Sequence, residues 1–239
     1  MPEERKEIVR EDKLTGDVRI RSPFLTKLEN FWYHYKWPFL IGLFTLVVLT
    51  ICLVQCVADG KGDDAYALYA GGDPLSANER REFENSMAAF VEDRNADGKL
   101  EIAVQSYAIY TDAEIRKFSH DAQSHAVDLT YNNKKALEQD LEGTLCFLAD
   151  WIYESEARAG GLVPLSELPL TLPEGAEAVL VDGVAYGVKL SSLPLYSLPG
   201  FAVLREDTVL CLRRRPLYAE KRLYEANAKV FTKLLGYEQ

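Results

Sequence analysis

Four cysteines are spread over 239 residues, too few to staple a miniature scaffold, so the chain must hold its fold by packing. Positive charge is also short: 27 Lys and Arg stand against 37 Asp and Glu, a formal net charge of −10. That balance excludes a nucleic-acid binder, because phosphate contacts need a basic footprint. No G-x-S-x-G elbow, H-E-x-x-H pair, P-loop or G-x-G-x-x-G turn occurs, which removes the enzyme and nucleotide-binding classes those signatures carry. Hydrophobic residues make up 48% of the chain and charged residues 27%, too apolar a mixture for a disordered protein.

Over one stretch charge is missing altogether. From Trp37 to Ala58, 22 residues contain no Asp, Glu, Lys, Arg or His. A span of about 20 apolar residues matches a hydrocarbon core of about 30 Å, so residues 37–58 are expected to form one transmembrane helix. A buried core helix would carry a polar stripe, and none is visible. Just before the span, Phe31-Trp32-Tyr33-His34-Tyr35-Lys36-Trp37 concentrates aromatic rings suited to the headgroup region. Lys27, Lys36, Arg19 and Arg21 precede the span, whereas Asp59, Lys61, Asp63 and Asp64 follow it. Positive charge on the amino side places residues 1–36 in the cytoplasm and residues 59–239 outside. A cleaved signal peptide ending at Cys56-Val57-Ala58 is the alternative, although its 36-residue lead-in is long for one. Residues 1–36 carry eight basic and seven acidic side chains and few apolar ones before Phe24, so this tail is expected to be partly disordered. The remainder holds 19 basic and 30 acidic residues, which keeps it soluble and away from anionic lipid.

The outer part alternates strand and helix patterns. Ala65-Tyr66-Ala67-Leu68-Tyr69-Ala70 reads as a strand ended by Gly71-Gly72. Ser76-Ala77-Asn78-Glu79 has the form of a capping box, and Phe83, Met87, Phe90 and Val91 follow at helical spacing. Leu100, Ile102 and Val104 alternate with polar residues in a second strand. A short helix from Asp112 and a better one from Asn132 to Leu141 are expected next. The continuous apolar run Leu145-Cys146-Phe147-Leu148-Ala149 is the pattern of a strand covered on both faces, with Asp150 available to cap a helix from Trp151. Two short apolar runs around Asp182-Gly183 predict a hairpin, Val209-Leu210-Cys211-Leu212 a further strand, and 217–235 a closing amphipathic helix. The expected fold class is α/β, one mostly parallel sheet with helices on both faces.

Leu145 to Leu168, with Gly160-Gly161-Leu162-Val163-Pro164-Leu165, resembles the first lobe of type 2 periplasmic solute-binding proteins. Val181-Asp182-Gly183-Val184-Ala185-Tyr186-Gly187-Val188 is similar to that family's hairpin before the chain crosses to its second lobe. The aromatic lead-in to the span resembles single-span membrane proteins of Gram-positive gut bacteria. The likeness implies a bacterial protein whose outer part has a single lobe of that fold, and a solute receptor serving an ABC-type transporter as one function. The chain departs from the family where it matters, however. Only about 50 residues follow Leu190, whereas a second lobe needs its own core of roughly 100. Without the second jaw, an interaction module that binds a protein or envelope partner without catalysis is the expected role.

Asp93-Arg94-Asn95-Ala96-Asp97-Gly98-Lys99-Leu100-Glu101 matches the opening of a calcium loop, D-x-[DN]-x-[DN]-G. Asp93, Asn95 and Asp97 would offer side-chain oxygens, Lys99 its carbonyl, and Glu101 a water-bridged position. Position twelve is Val104 rather than the bidentate Glu, so a regular EF-hand is excluded, and a polar helix-to-strand turn is the competing reading. His120 and His125 are five apart, which puts them on different sides of a helix rather than on one zinc ion. Arg213-Arg214-Arg215 reads as an exposed corner or an anion site. Cys146 and Cys211 are each on a predicted strand, and either a disulfide or two buried thiols is consistent with that. Ser191, Ser192 and Asp150 fall near strand ends but lack a positioned base.

Overall fold

The computed structural model describes residues 23–59 and 62–237, and the chain divides at Gly60 into two units. In the first, the uncharged stretch lies within helix α1, Pro23–Asp59. Its apolar portion, Phe31–Val54, has 24 residues, about 36 Å at the helical rise, which is long enough to cross a bilayer. Thr45 and Thr50 donate their hydroxyls to the carbonyls of Ile41 and Leu46, each at 2.8 Å, so both hydroxyls are satisfied inside the helix. Helix α1 begins ahead of the expected span. Phe31 stacks on Tyr35 at 5.5 Å between ring centroids and meets Phe39 edge-on at 5.9 Å, a ring ladder at four-residue spacing that runs past Pro38. The part of the tail expected to be disordered, ahead of Phe24, falls in residues 1–22, which lie outside the described residues.

In the second unit the chain runs β1 (Ala65–Gly71), α2 (Ala77–Met87), β2 (Ile102–Ala108), α3 (Asp112–Ile115), α4 (His120–Gln139), β3 (Leu145–Ala149), α5 (Asp150–Arg158), β4 (Ala178–Val181), β5 (Val184–Lys189), α6 (Pro199–Ala202), β6 (Thr208–Leu212) and α7 (Lys221–Leu235). The capping box opening α2 is formed, with the Glu79 N–H donating to Ser76 Oγ and the Ser76 N–H to Glu79 Oε2. Asp150 does not cap α5 from outside as expected. It is the helix's first residue, and its Oδ1 accepts the Trp151 N–H at 2.7 Å.

All six strands form one sheet in the order β2-β1-β3-β6-β5-β4. Strands β2, β1 and β3 are parallel, whereas the β3–β6, β6–β5 and β5–β4 pairings are antiparallel. The expectation of a mostly parallel sheet is thus corrected to a mixed one. Asp182 and Gly183 take φ of 51° and 83°, the two-residue turn that makes β4–β5 the expected hairpin, and the mixture is completed by β6, which enters antiparallel to both β3 and β5.

Side chains alternate cleanly across the pleat. Ala67, Tyr69, Leu145, Phe147, Leu210 and Leu212 face one side, under Phe83 and Met87 of α2, Phe201 of α6 and Val230, Phe231 and Leu234 of α7. Leu68, Ala70, Cys146, Leu148, Val209 and Cys211 face the other, under Leu137 of α4 and Ile152, Tyr153 and Ala157 of α5. Helices therefore cover both faces, as expected. Phe83 meets Phe147 and Phe201 edge-on, with centroids 5.0 and 5.4 Å away, an aromatic knot that joins α2 and α6 to the sheet centre.

Candidate functional site

In open α/β sheets a ligand crevice lies outside the strand carboxyl ends, where neighbouring strands send their connections to opposite faces. That condition is met between β1 and β3, which lead to α2 on one face and α5 on the other. β6 runs against β3 and pairs Thr208 with Ala149, so the segment before β6 arrives at the same edge.

Arg205 of that segment fills the position. Its Nη1 contacts Glu114 Oε1 at 2.9 Å, and its Nε and Nη2 grip Asp207 at 3.0 and 2.8 Å. Gly72, just past β1, is close enough that an added Cβ would meet Glu114 Oε1 at 2.7 Å and Arg205 Nη1 at 2.9 Å. Glu114 also completes a capping box, accepting the Thr111 N–H at 2.8 Å while its own N–H donates to Thr111 Oγ1. Burial pushes the Glu114 carboxyl up, but the hydrogen bonds from Thr111 and Arg205 outweigh it and hold the group below its ordinary value. The hydrogen bond to Asp207 raises Arg205 further above its already high value, against the opposing effect of burial. Burial pushes the nearby Tyr69 phenol up to about 12. The crevice thus holds a self-satisfied cation between two carboxylates. Thr111-Asp112-Ala113-Glu114 has the local form of a capping box, but nothing in neighbouring residues marks the partnership of Glu114 with Arg205, which spans 91 positions.

The loop 93–101 is organised by its own backbone. Asp93 accepts the N–H groups of Asp97 and Gly98 at 3.2 and 2.8 Å, Asn95 Oδ1 accepts the Asp97 N–H at 3.0 Å, and Asp97 Oδ1 accepts the Lys99 N–H at 2.9 Å. Ala96 and Gly98 have φ of 53° and 79°, which bends the chain tightly there. Asp64, only 1% exposed, anchors both ends, accepting the N–H groups of Arg94 at 2.7 Å and Glu101 at 2.9 Å. Glu101 lines a separate hollow with Asp63 and Glu84. Among the described residues, no three His, Cys, Asp or Glu side chains converge to hold a metal. Beside the loop, a cavity of about 350 Å³ is bordered by Asp93, Arg94, Arg222, Glu225, Lys229 and Lys233, with charges of both signs.

The other residues singled out by sequence divide sharply. Cys146 and Cys211 are direct register partners across β3 and β6. Arg213 contacts Glu156 at 3.5 Å and donates to the carbonyls of Leu137 and Asp140 at the end of α4. Arg214 forks onto Glu167, and Arg215 donates to the Ala219 carbonyl, so each arginine of the run has a protein partner. Ser191 donates to the Glu206 carbonyl and Ser192 to the Lys189 carbonyl, which places neither hydroxyl beside a base. His120 and His125 are exposed on α4.

No protein-family model matches the chain, and neither a curated protein nor a solved structure matches it.

Proposed function

We propose that the protein is a membrane-anchored interaction module that binds a partner without catalysis. In this reading α1 crosses a bacterial plasma membrane with its N-terminus in the cytoplasm, and the α/β unit acts outside on a protein or envelope partner. The observation that carries the reading is the Arg205–Glu114–Asp207 cluster standing in the strand-end crevice. A receptor for a small solute needs an emptied cavity there and a second surface to bury most of the ligand. Here Arg205 is already taken up by two of the chain's own carboxylates in that place, and residues 65–235 are spent on a single sheet and its covering helices.

A partner surface is available elsewhere. Leu217 and Tyr218 are 80% and 85% exposed, between Arg215-Pro216 and the start of α7. An exposed tyrosine close to an arginine brings together two of the residue types enriched at protein interfaces and their hot spots, with Leu217 adding apolar area beside them. The test is a photo-crosslinking residue at position 218 of the full chain in cells. One defined adduct, weakened by Leu217→Ser, is expected. A chain that stays uncrosslinked sinks the reading.

A second reading, the solute-binding component of an ABC-type transporter, is favoured by the switch of connections between β1 and β3. Thermal shift of the full chain with sugars, amino acids and peptides separates the two. A bound solute at 100 times its dissociation constant adds about 2.7 kcal/mol, whereas the interaction reading expects no shift.

A further inference from the structure

Cys146 on β3 and Cys211 on β6 stand opposite each other in the antiparallel register. Both are free thiols, both are 0% exposed, and both face the side packed by α4 and α5, among Leu68, Leu148 and Tyr153. Their pairing type follows from the ladder. The Arg213 N–H donates to the Thr144 carbonyl at 2.8 Å, two positions along the register on each strand, so alternation makes the Cys146–Cys211 pair hydrogen-bonded as well. Such pairs have Cα atoms about 5.5 Å apart, inside the range of roughly 4.4–6.8 Å that a disulfide bridges, and Cβ atoms about 5 Å apart, which must close to about 4 Å as the bond forms. Cys146 Sγ lies 3.3 Å from the Gly143 carbonyl, to which it donates.

The location gives the pair its meaning. β3 is the last strand of the parallel half and β6 the first of the antiparallel half, so these two sulfurs sit on the seam between them. In the finished fold the thiols are poor reactants. Burial, then the hydrogen bond to Cys146, pushes the Cys211 thiol well above its ordinary value, and the thiolate is the form that exchanges.

We propose that Cys146 and Cys211 are joined as a cross-strand disulfide by exchange with a protein disulfide or a glutathione-type disulfide, as β6 docks on β3 and before α4 and α5 cover the pair. One cysteine thiolate attacks the oxidant's disulfide and displaces the first thiolate. The second cysteine thiolate then attacks the sulfur of its partner in that mixed disulfide and displaces the other. The two cysteines lose two protons and two electrons, and the oxidant leaves as two thiols. The bond staples the seam. The proposal rests on the extracytoplasmic reading only for its supply of oxidant in the cell, and its chemistry is tested apart from that.

The experiment uses the full chain in detergent, unfolded with reductant and refolded in a mixture of reduced and oxidised glutathione. Trypsin separates residues 136–158, which hold Cys146, from residues 206–213, which hold Cys211, so one linked peptide under non-reducing conditions reports the bond. That peptide is expected in most refolded molecules, with a melting temperature roughly 10 °C above the Cys146→Val/Cys211→Val chain. Folded, reduced protein placed in the same buffer is expected to keep both thiols for hours. Refolded chains with both thiols intact, or linked preferentially to Cys52 or Cys56, overturn the proposal. Rapid bond formation in the already folded protein overturns the order of events. Linkage in the test tube but free thiols in protein taken from cells leaves the chemistry standing and counts against the extracytoplasmic placement.

Discussion

Asn227, fully buried on α7, accepts the Tyr66 main-chain N–H at 2.9 Å across 161 positions of sequence. Its amide donates to Thr144 Oγ1 at 2.8 Å, so one side chain ties the start of β1 to the residue preceding β3. Asn227→Leu leaves a buried N–H without a partner, which costs about 1–3 kcal/mol. A lower urea midpoint with an unchanged slope is expected for the full chain. Asn227→Asp keeps the acceptor but buries a carboxylate beside the Glu142 carbonyl, and at pH 7 is expected to cost at least as much as Asn227→Leu.

The strand-end cluster predicts an acid limb. Glu114 is held below its ordinary pKa of 4.5, so its stabilising effect is complete above that value and is lost as pH falls through the lower folded pKa. Melting curves between pH 7 and pH 3 are expected to show a steeper acid decline for the native chain than for Glu114→Gln. At pH 7 the variant is expected to melt about 2–4 °C lower, the equivalent of about 1 kcal/mol for a unit of this size. Equal acid slopes would remove Glu114 from the cluster's energetics.

Gly200 is required by a close approach. It packs on the Glu82 carbonyl of α2, nearer than a Cβ can come, and its N–H donates to Ser86 Oγ at 3.1 Å. Gly200→Ala must push α6 off α2 and disturb Phe201, at a cost of about 1–3 kcal/mol. Denaturant titration is expected to show this loss, and Ser86→Ala, which removes one exchangeable hydrogen bond, about 1 kcal/mol.

For the 93–101 loop the structural role is separable from calcium. Asp93→Ala removes the acceptor of two backbone N–H groups and is expected to lower the melting temperature by a few degrees in chelator, about 1 kcal/mol. Calcium titration of both chains then reads the metal separately. A calcium-dependent rise that Asp93→Ala abolishes is the outcome that assigns the ion to this loop.

What the sequence disclosed and what it hid follow a physical division. The α2 capping box, the Asp182-Gly183 hairpin and β3 were legible because each is written in neighbouring residues. Helix α4 was half hidden: its buried residues include Ala126 and Thr130, which make no apolar stripe, while Val127 and Tyr131 point outward. Thr130 is buried to accept the Tyr110 N–H, a contact that adjacent residues do not announce. On α7 an amphipathic pattern does not announce a buried polar residue, yet Asn227 is fully buried and its partners are Tyr66 and Thr144, far away in sequence. The Arg205 cluster was out of reach for the same reason, and Cys146 and Cys211 could be named as a candidate pair but not placed in register, since each depends on where β6 enters the sheet.

That insertion point also dictates an order of manufacture. β6 is the final strand in chain order, yet it lies between β3 and β5. Until it is synthesised, both neighbours present raw, mostly apolar borders to any other polypeptide nearby. A ribosome that stalls before residue 208, or a protease that trims there, releases a product with two additional adhesive rims instead of one continuous sheet, and quality control in the cell has to recognise it as such.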